Sequence, residues 1–499
     1  MTPPRFGRLA LSSLATAILA GCGVGPRYHR PALDIPLAYT APIKAPPAAP
    51  PSTDWWRGFG APDLNRLIDL AARQSPDVQA AAARVIQADQ AARVAGSPLL
   101  PGLTGTASQS WQRTGTGSTG NTSFNLSSLG PAFAGLGTTK TYTETRSYTA
   151  ELNASYEVDF WGENLDAYRA ATALARGSRY DAQTVWLTTV SSIANTYFQA
   201  LGYRDRLLIA QHNLGDASHV LDAYRARLSV GTADALDVSQ QEALVAGYRA
   251  TLPSLESQYR QEVIALATLV GEPPERVALG DLRLTDLRLP AVAPGLPASV
   301  LRRRPDVAYA EAQLISQNQT VRQDFAAFFP SLTLTASGGL SSLALSTITG
   351  PGTVVASLMS QLTQTIFDNG AKSGTLGEAK GRYRELAADY AKAVLQALSD
   401  VETGLTGTSF AADQEGLEAE AVRTAQRSAD IARAQLEAGT VDIVTVLNTE
   451  TTLFTDQDTL AQVRVNRFLS LVSLYKALGG GWSLPGQALL GAIDVRSRA

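Results

Sequence analysis

Tyr148-Thr149-Ala150-Glu151-Leu152-Asn153-Ala154-Ser155-Tyr156-Glu157-Val158-Asp159-Phe160 alternates apolar and polar side chains without a break. Tyr148, Ala150, Leu152, Ala154, Tyr156, Val158 and Phe160 fall on one side of an extended chain, while Thr149, Glu151, Asn153, Ser155, Glu157 and Asp159 fall on the other. A period of two is that of a β-strand. Sustained this long, with carboxylates on the wet side, it fits a strand with lipid on one face and a watery lumen on the other. A sandwich face in water would alternate in the same way, so the pattern needs support elsewhere. Leu103 to Trp111 alternates likewise, and Leu332, Leu334 and Ala336 continue the theme. Four such strands, expected at about 103–113, 147–160, 331–340 and 354–367, cannot close a pore, which takes about eight. An open sheet edge in lipid is forbidden, so the chain is expected to share its barrel with copies of itself.

The chain also repeats itself. Pro76-Asp77-Val78 recurs as Pro305-Asp306-Val307, and at that offset Ala81, Ala83, Arg93 and Pro101 recur as Ala310, Ala312, Arg322 and Pro330. Further on, Gly162, Arg225, Gly231, Asp234, Glu242 and Gly271 match Gly370, Arg433, Gly439, Asp442, Glu450 and Gly479. The change of offset places extra residues in the first half, where the Gly/Thr/Ser-rich stretch from Thr114 to Arg146 reads as a long polar loop. Each half then reads helix, strand, loop, strand, very long helix, tight turn, helix.

Ile193, Ala200, Leu207, Leu214, Leu221 and Leu228 recur every seven residues, a seam of the coiled-coil kind. A helix begun near Asp166 and run through this seam is about 95 Å long. Long helices are expected at about 166–230 and 233–270, and again at about 371–437 and 441–478, where Val394, Leu398, Val401 and Leu405 keep helical spacing. Gly231-Thr232 and Gly439-Thr440 supply the glycine and hydroxyl that end one helix and begin its antiparallel return.

Arg5 and Arg8 precede an apolar run from Leu9 to Ala20, the layout of a secretory leader and too short to span a bilayer. The run ends in Leu19-Ala20-Gly21-Cys22, and Cys22 is the only cysteine. This motif resembles the bacterial lipobox, which implies cleavage of residues 1–21 and lipidation of Cys22, with Gly23 favouring the outer membrane. Residues 22–52, rich in Pro and Ala, are expected to form an extended tether. The first repeat then occupies 53–290, the second 291–485, and a tail 486–499.

Among 499 residues, 42 Lys and Arg face 45 Asp and Glu, a net charge of −3 that gives no reason to expect nucleic acid. His29, His212 and His219 form no ligand cluster: the last two are a heptad apart rather than one turn. Two methionines are too few for a route that hands over soft metal ions. Gly115-Thr116-Gly117-Ser118-Thr119-Gly120 fits a nucleotide-loop pattern but has no helix after it. Catalysis has no candidate residue, and no cofactor is expected beyond the lipid on Cys22.

Asp54-Trp55-Trp56 with Phe59 and Pro62-Asp63-Leu64, Tyr156-Glu157-Val158-Asp159-Phe160-Trp161-Gly162, and Leu301-Arg302-Arg303-Arg304-Pro305-Asp306-Val307 with Glu311 are motifs of one family. In combination they resemble the TolC-like outer-membrane efflux proteins, in the lipoprotein branch called NodT-type. The resemblance implies an α+β membrane protein: a homotrimeric twelve-stranded outer-membrane β-barrel, four strands per chain, continued by a long antiparallel α-helical barrel. It also implies a periplasmic adaptor and an inner-membrane transporter of the resistance-nodulation-division (RND) type as partners. The implied product is a passive conduit that expels small molecules such as drugs or solvents and opens at its periplasmic tip.

In that family acidic residues often ring the tip. The matching segment runs from Gly439 to Asn448, and the positions that often hold gate aspartates carry Thr445 and Asn448. Asp442 lies close by, and the first-half counterparts are Asp234, Asp237 and Gln240. These six are the gate candidates, although Asp234 and Asp442 are equally placed to cap the helices that follow them.

Overall fold

The computed structural model describes residues 24–41, 51–116, 141–295 and 297–480. The helices, in chain order, begin with α1 (Pro62–Gln74) and α2 (Pro76–Ala95), preceded by a 3-10 turn at Trp55–Phe59. Strands β1 (Gly102–Thr116) and β2 (Thr141–Val158) lead to α3 (Glu163–Ser229) and its return α4 (Ala235–Val270). After a short α5 (Pro297–Leu301), the second half repeats the order with α6 (Pro305–Ala326), β3 (Ser331–Ser342), β4 (Val354–Thr363), α7 (Ala371–Glu437) and α8 (Ile443–Ala477). No described helix is long and apolar enough to cross a membrane.

The chain divides into two compact units. One comprises Ala91–Ala171 and Gln317–Gly381 with the residues near the N-terminus up to Arg27, and holds the sheet; the other holds the remainder. The sheet is an antiparallel meander in the order β1-β2-β3-β4. Its register opposes Leu103 to Ala154, Leu152 to Gly338, Tyr156 to Leu334, and Leu332 to Leu362. Opposed residues share a face, so the apolar sides of all four strands coincide. Gly339 faces Glu151 on the polar side, where a Cβ would lie 2.2 Å from the Ala150 carbonyl oxygen. Only glycine fits there.

Three strands depart from the expected bounds. β1 reaches Thr116 and β2 begins at Thr141, inside the stretch read as loop. Polar cross-strand pairs extend the ladder: Ser110 bonds Ser147 at 2.8 Å, and the Arg113 guanidinium lies 4.2 Å from the centre of the Tyr142 ring. Polar composition marks water contact, not an absence of pairing. At the other end β2 stops at Val158 because Asp159 turns away to accept a hydrogen bond from Leu165 N at 2.7 Å, starting α3 two residues after Trp161. In the second half β4 ends at Thr363, opposite Ser331 where β3 begins, rather than near 367, and Asp368 accepts from Gly370 N and Lys372 N, each at 3.0 Å, at the start of α7.

In the second unit the main core gathers Phe59, Leu64, Leu67 and Ile68 against Ile193, Tyr197 and Phe198 of α3, Leu266 of α4 and Leu471 of α8. Trp55 stacks on Tyr475 at 4.8 Å and Phe59 meets Phe198 at 4.9 Å. The Asp54-Trp55-Trp56 motif is thus an anchor that pins the start of the first repeat onto the long helices. Residues 24–41 carry no helix or strand, yet they are not free of the body. Arg30 Nε donates to Glu311 at 2.7 Å, and Thr40 N donates to Glu402 at 2.6 Å. Glu311, a motif residue, receives the strap. Cys22 and the tail at 486–499 lie outside the described residues.

Candidate functional site

The expected channel would work through its wall and its ends. On the wall, the alternation of β2 extends across the sheet. One side presents Leu103, Leu152, Leu334, Leu358 and Leu362, with Leu358 84% and Leu103 69% exposed in the single chain. Water would not tolerate so broad an apolar patch on a soluble protein; lipid would. The other side presents Thr104, Thr106, Ser108, Asn153, Ser155, Thr333, Ser337 and Gln361, with Glu151 and Glu157 as its charges. No Lys or Arg stands on that side among the described strand residues. Below the strands, Trp161 stacks on Phe329 at 4.6 Å and donates through Nε1 to the Pro330 carbonyl at 2.9 Å, tying the start of α3 to the entry of β3.

The far ends of the long helices are the two turns. Gly231 (φ 77°) and Gly439 (φ 72°) take the left-handed conformation that closes each helix. Thr232 N then bonds Arg227 O, and Thr440 N bonds Gln435 O, both at 2.9 Å. Asp234 is the N-cap of α4: its carboxylate accepts from Leu236 N at 3.3 Å, and Asp237 accepts back from Asp234 N at 3.4 Å, a capping box. Asp442 caps α8, accepting from Thr445 N at 3.0 Å and from Thr445 Oγ1 at 2.7 Å. Those bonds hold its carboxyl below the ordinary aspartate range. The structure therefore joins Asp234 with Asp237 and Asp442 with Thr445. Asn448 is exposed and, with Glu420, Thr424, Ser428, Thr452 and Asp456, lines an open groove of about 550 Å³ between α7 and α8. Gln240 is half-buried.

Sequence reasoning missed one cluster at this end. Arg433 Nε donates to Glu450 at 2.9 Å and lies 3.7 Å from Asp216 of α3, linking three long helices. Glu450 is buried, and its carboxyl is pushed above the ordinary glutamate range, Arg433 pulling it part of the way back. Tyr248, beside it, is pushed up to about 12 by burial. Arg433 and Glu450 were visible as repeat mates of Arg225 and Glu242; that the second pair is enclosed was not. His212 is exposed, 3.5 Å from Asp216, and no group among the described residues could hold a metal ion.

With this geometry in hand, the chain can be compared with known proteins. A family model described as outer membrane efflux protein matches residues 67–272 and 296–480, the two repeats. The chain is 38% identical over 481 residues to the pyoverdine export outer membrane protein OpmQ of Pseudomonas aeruginosa, covering 96% of this chain and 98% of that one. It is 29% identical over 485 residues to the toluene efflux pump outer membrane protein TtgF of Pseudomonas putida, covering 95% and 96%. Among solved structures, the CmeC outer membrane channel of Campylobacter jejuni shares the fold with a TM-score of 0.84 at 21% identity, covering 96% of this chain and 98% of that one. These relatives are channel proteins. The chain belongs to the outer membrane efflux protein family, and its four strands and long paired helices have the fold of the outer membrane channels it resembles.

Proposed function

We propose that this channel passively exports water-soluble small molecules of the pyoverdine kind, and that it opens at the converging hairpin turns. The 38% identity to a pyoverdine exporter over nearly the whole chain carries the choice of cargo. The hydroxyl- and amide-rich wet face of the sheet supports it, since such a wall offers a polar solute weak, exchangeable hydrogen bonds and no sticky apolar patch. The protein transforms nothing and uses no cofactor; its one covalent addition is lipid on Cys22, supported by the Leu19-Ala20-Gly21-Cys22 motif. Deleting the gene in a producing host tests the cargo. Pyoverdine-type metabolite should accumulate in the periplasm and return to the medium on complementation. Unchanged secretion with lost solvent tolerance would redirect the assignment to apolar cargo.

The gate candidates remain Asp234, Asp237, Gln240, Asp442, Thr445 and Asn448. Asp234, Asp237, Asp442 and Thr445 all take part in the two caps, so Gln240 and Asn448 are the candidates whose side chains stand outside them. Replacing Asp237 and Asp442 together with Ala should raise single-channel conductance in planar bilayers or weaken block by divalent cations. Unchanged recordings would remove the carboxylates from the gate.

A further inference from the structure

β1 and β2 run on past the other two strands. β3 ends at Ser342, opposite Tyr148, whereas β2 extends from Tyr148 back to Thr141 in register with β1. At about 3.4 Å per residue this extra length is about 24 Å along the strands. β1 follows α2 and begins at Gly102, so the projection is the end of the sheet remote from that helix.

The two faces of the projection are sorted. Continuous with the wet side stand Ser108, Ser110 and Gln112 of β1 and Thr143, Thr145 and Ser147 of β2, all neutral. Continuous with the apolar side stand Gln109, Trp111 and Arg113, opposite Tyr148, Arg146 and Glu144 in turn. Lower on that apolar side no residue of the four described strands is charged, from Leu103 to Ala107, from Ala150 to Val158, and throughout β3 and β4. The connection from Leu343 to Thr353 carries no charge either. A hairpin standing in water on both sides has no reason to separate arginines and aromatic rings from hydroxyls.

A membrane boundary has one. Along the outward face the order is apolar rows, then the rings of Tyr148 and Trp111, then the arginines, and aromatic rings collect where hydrocarbon gives way to headgroups. The next layer out is the headgroups themselves, and there the guanidinium groups lie. Arg113 is 3.7 Å from Glu144 and its guanidinium is 4.2 Å from the centre of the Tyr142 ring. Arg146 is exposed and has no carboxylate partner among the described residues. Glu144 thus offsets one of the two positive charges, and Arg146 leaves the face net positive.

Arg113 and Arg146 are diagonal neighbours across the strand pair, about 7–8 Å apart at their bases. An anion between them relieves their mutual repulsion, and the guanidinium fork matches a phosphate bidentately. Trp111, opposite Arg146 and exposed, offers a flat apolar surface with a polar edge, suited to a sugar ring. We propose that this outward face binds the phosphorylated sugar headgroup of a glycolipid in the outer leaflet, with Arg113 and Arg146 on the phosphate and Trp111 against the sugar.

The inference rests on the reading of the sheet as a membrane wall, and the test separates the two. Full-length protein in detergent is titrated with bisphosphorylated lipid A, and bound lipid is counted by native mass spectrometry. Arg113→Gln combined with Arg146→Gln should weaken binding at least about tenfold, and lipid A stripped of phosphate should bind the unaltered protein as weakly. Arg260→Gln with Arg276→Gln removes two exposed arginines outside the sheet and should change nothing. Glu144→Gln, which removes a repelling carboxylate, should tighten binding, and weaker binding there overturns direct pairing to the arginines. Undiminished binding by the hairpin double variant, or an equal loss in the control, overturns the proposal. So does full displacement of the lipid by inorganic phosphate at equal concentration, which would make this a free-anion site. Insertion is read separately, as protease protection of the strands in phosphatidylcholine vesicles. Protein that inserts there yet ignores lipid A overturns the headgroup site and leaves the wall; protein that fails to insert overturns both.

Discussion

At the hairpin turns the two halves of the chain carry the same ion pair in different surroundings. Arg225 reaches Glu242 at 2.7 Å with 54% and 47% of the two side chains exposed; Arg433 reaches Glu450 at 2.9 Å with Glu450 at 4% and Asp216 of another helix nearby. α4 also contains Pro253, which removes a backbone donor and kinks a helix, whereas α8 contains no proline. The same division appears where α2 and α6 meet the sheet: Arg322 is enclosed with Asp166, and its mate Arg93 is exposed. A repeat copies residues; the neighbours decide how much each copied contact is worth. Within one chain, α6 meets both α7 and α3, whereas α2 packs on α3 through Ala81, Val85 and Ala182.

Arg322→Ala puts this contrast under the greatest strain. It leaves the buried Asp166 with only Arg169 beside it, and breaking a buried pair costs about 3–5 kcal/mol. Arg93→Ala should cost below about 1 kcal/mol, as exposed charges do. Thermal unfolding of the detergent-purified protein measures both, and equal losses would erase the distinction. At the turns, Arg433→Ala should cost about 3 kcal/mol by stranding Glu450, and Arg225→Ala below about 1 kcal/mol. Hydrogen exchange along α8 and α4 reads each hairpin separately. If α4 loosened as much as α8, burial would not be what separates the pairs.

Acidity discriminates more finely. The folded pKa of Glu450 is raised, so its contribution to stability is complete below the ordinary glutamate range and is lost as pH rises through the raised value. Asp442 has the opposite sign: its folded pKa is lowered, so its contribution is present above the ordinary aspartate range and lost as pH falls through the lowered value. Glu450→Gln should therefore abolish a gain in protease resistance of α8 on mild acidification and leave the loss at stronger acidity untouched. A mild-acid gain that survives the substitution would assign it to another group. The smallest effect is expected at the caps. Asp234→Ala and Asp442→Ala should each speed hydrogen exchange only in the first turn of α4 or α8, and here the halves should agree because both caps are exposed.

Much of this was legible in residue order. Strand alternation located the wall, since lipid and water on opposite faces force a period of two, and Tyr148 to Val158 obeyed it. Glycine and threonine at 231–232 and 439–440 located the turns. The ends of β1 and β2 fall inside the stretch read as loop because Thr114, Thr143 and Glu144 look like loop residues until they are paired across strands. Asp234 and Asp442 could be read from sequence as either gate or cap, and only backbone geometry placed their oxygens on the amides of Leu236 and Thr445.

Sequence by itself determined the inventory: two repeats, four two-faced strands, paired long helices and a motif for lipid attachment, because periodicity and turn chemistry act over a few residues at a time. Tertiary structure decided which of two identical-looking pairs is enclosed, that residues 28–41 strap onto Glu311 and Glu402, and that a Cβ at Gly374, Gly377 or Gly381 of α7 would meet nothing among the described residues. Those outcomes depend on what arrives from hundreds of residues away, and the free energy of a charge or a glycine is set by that neighbour rather than by the residue's own place in the sequence.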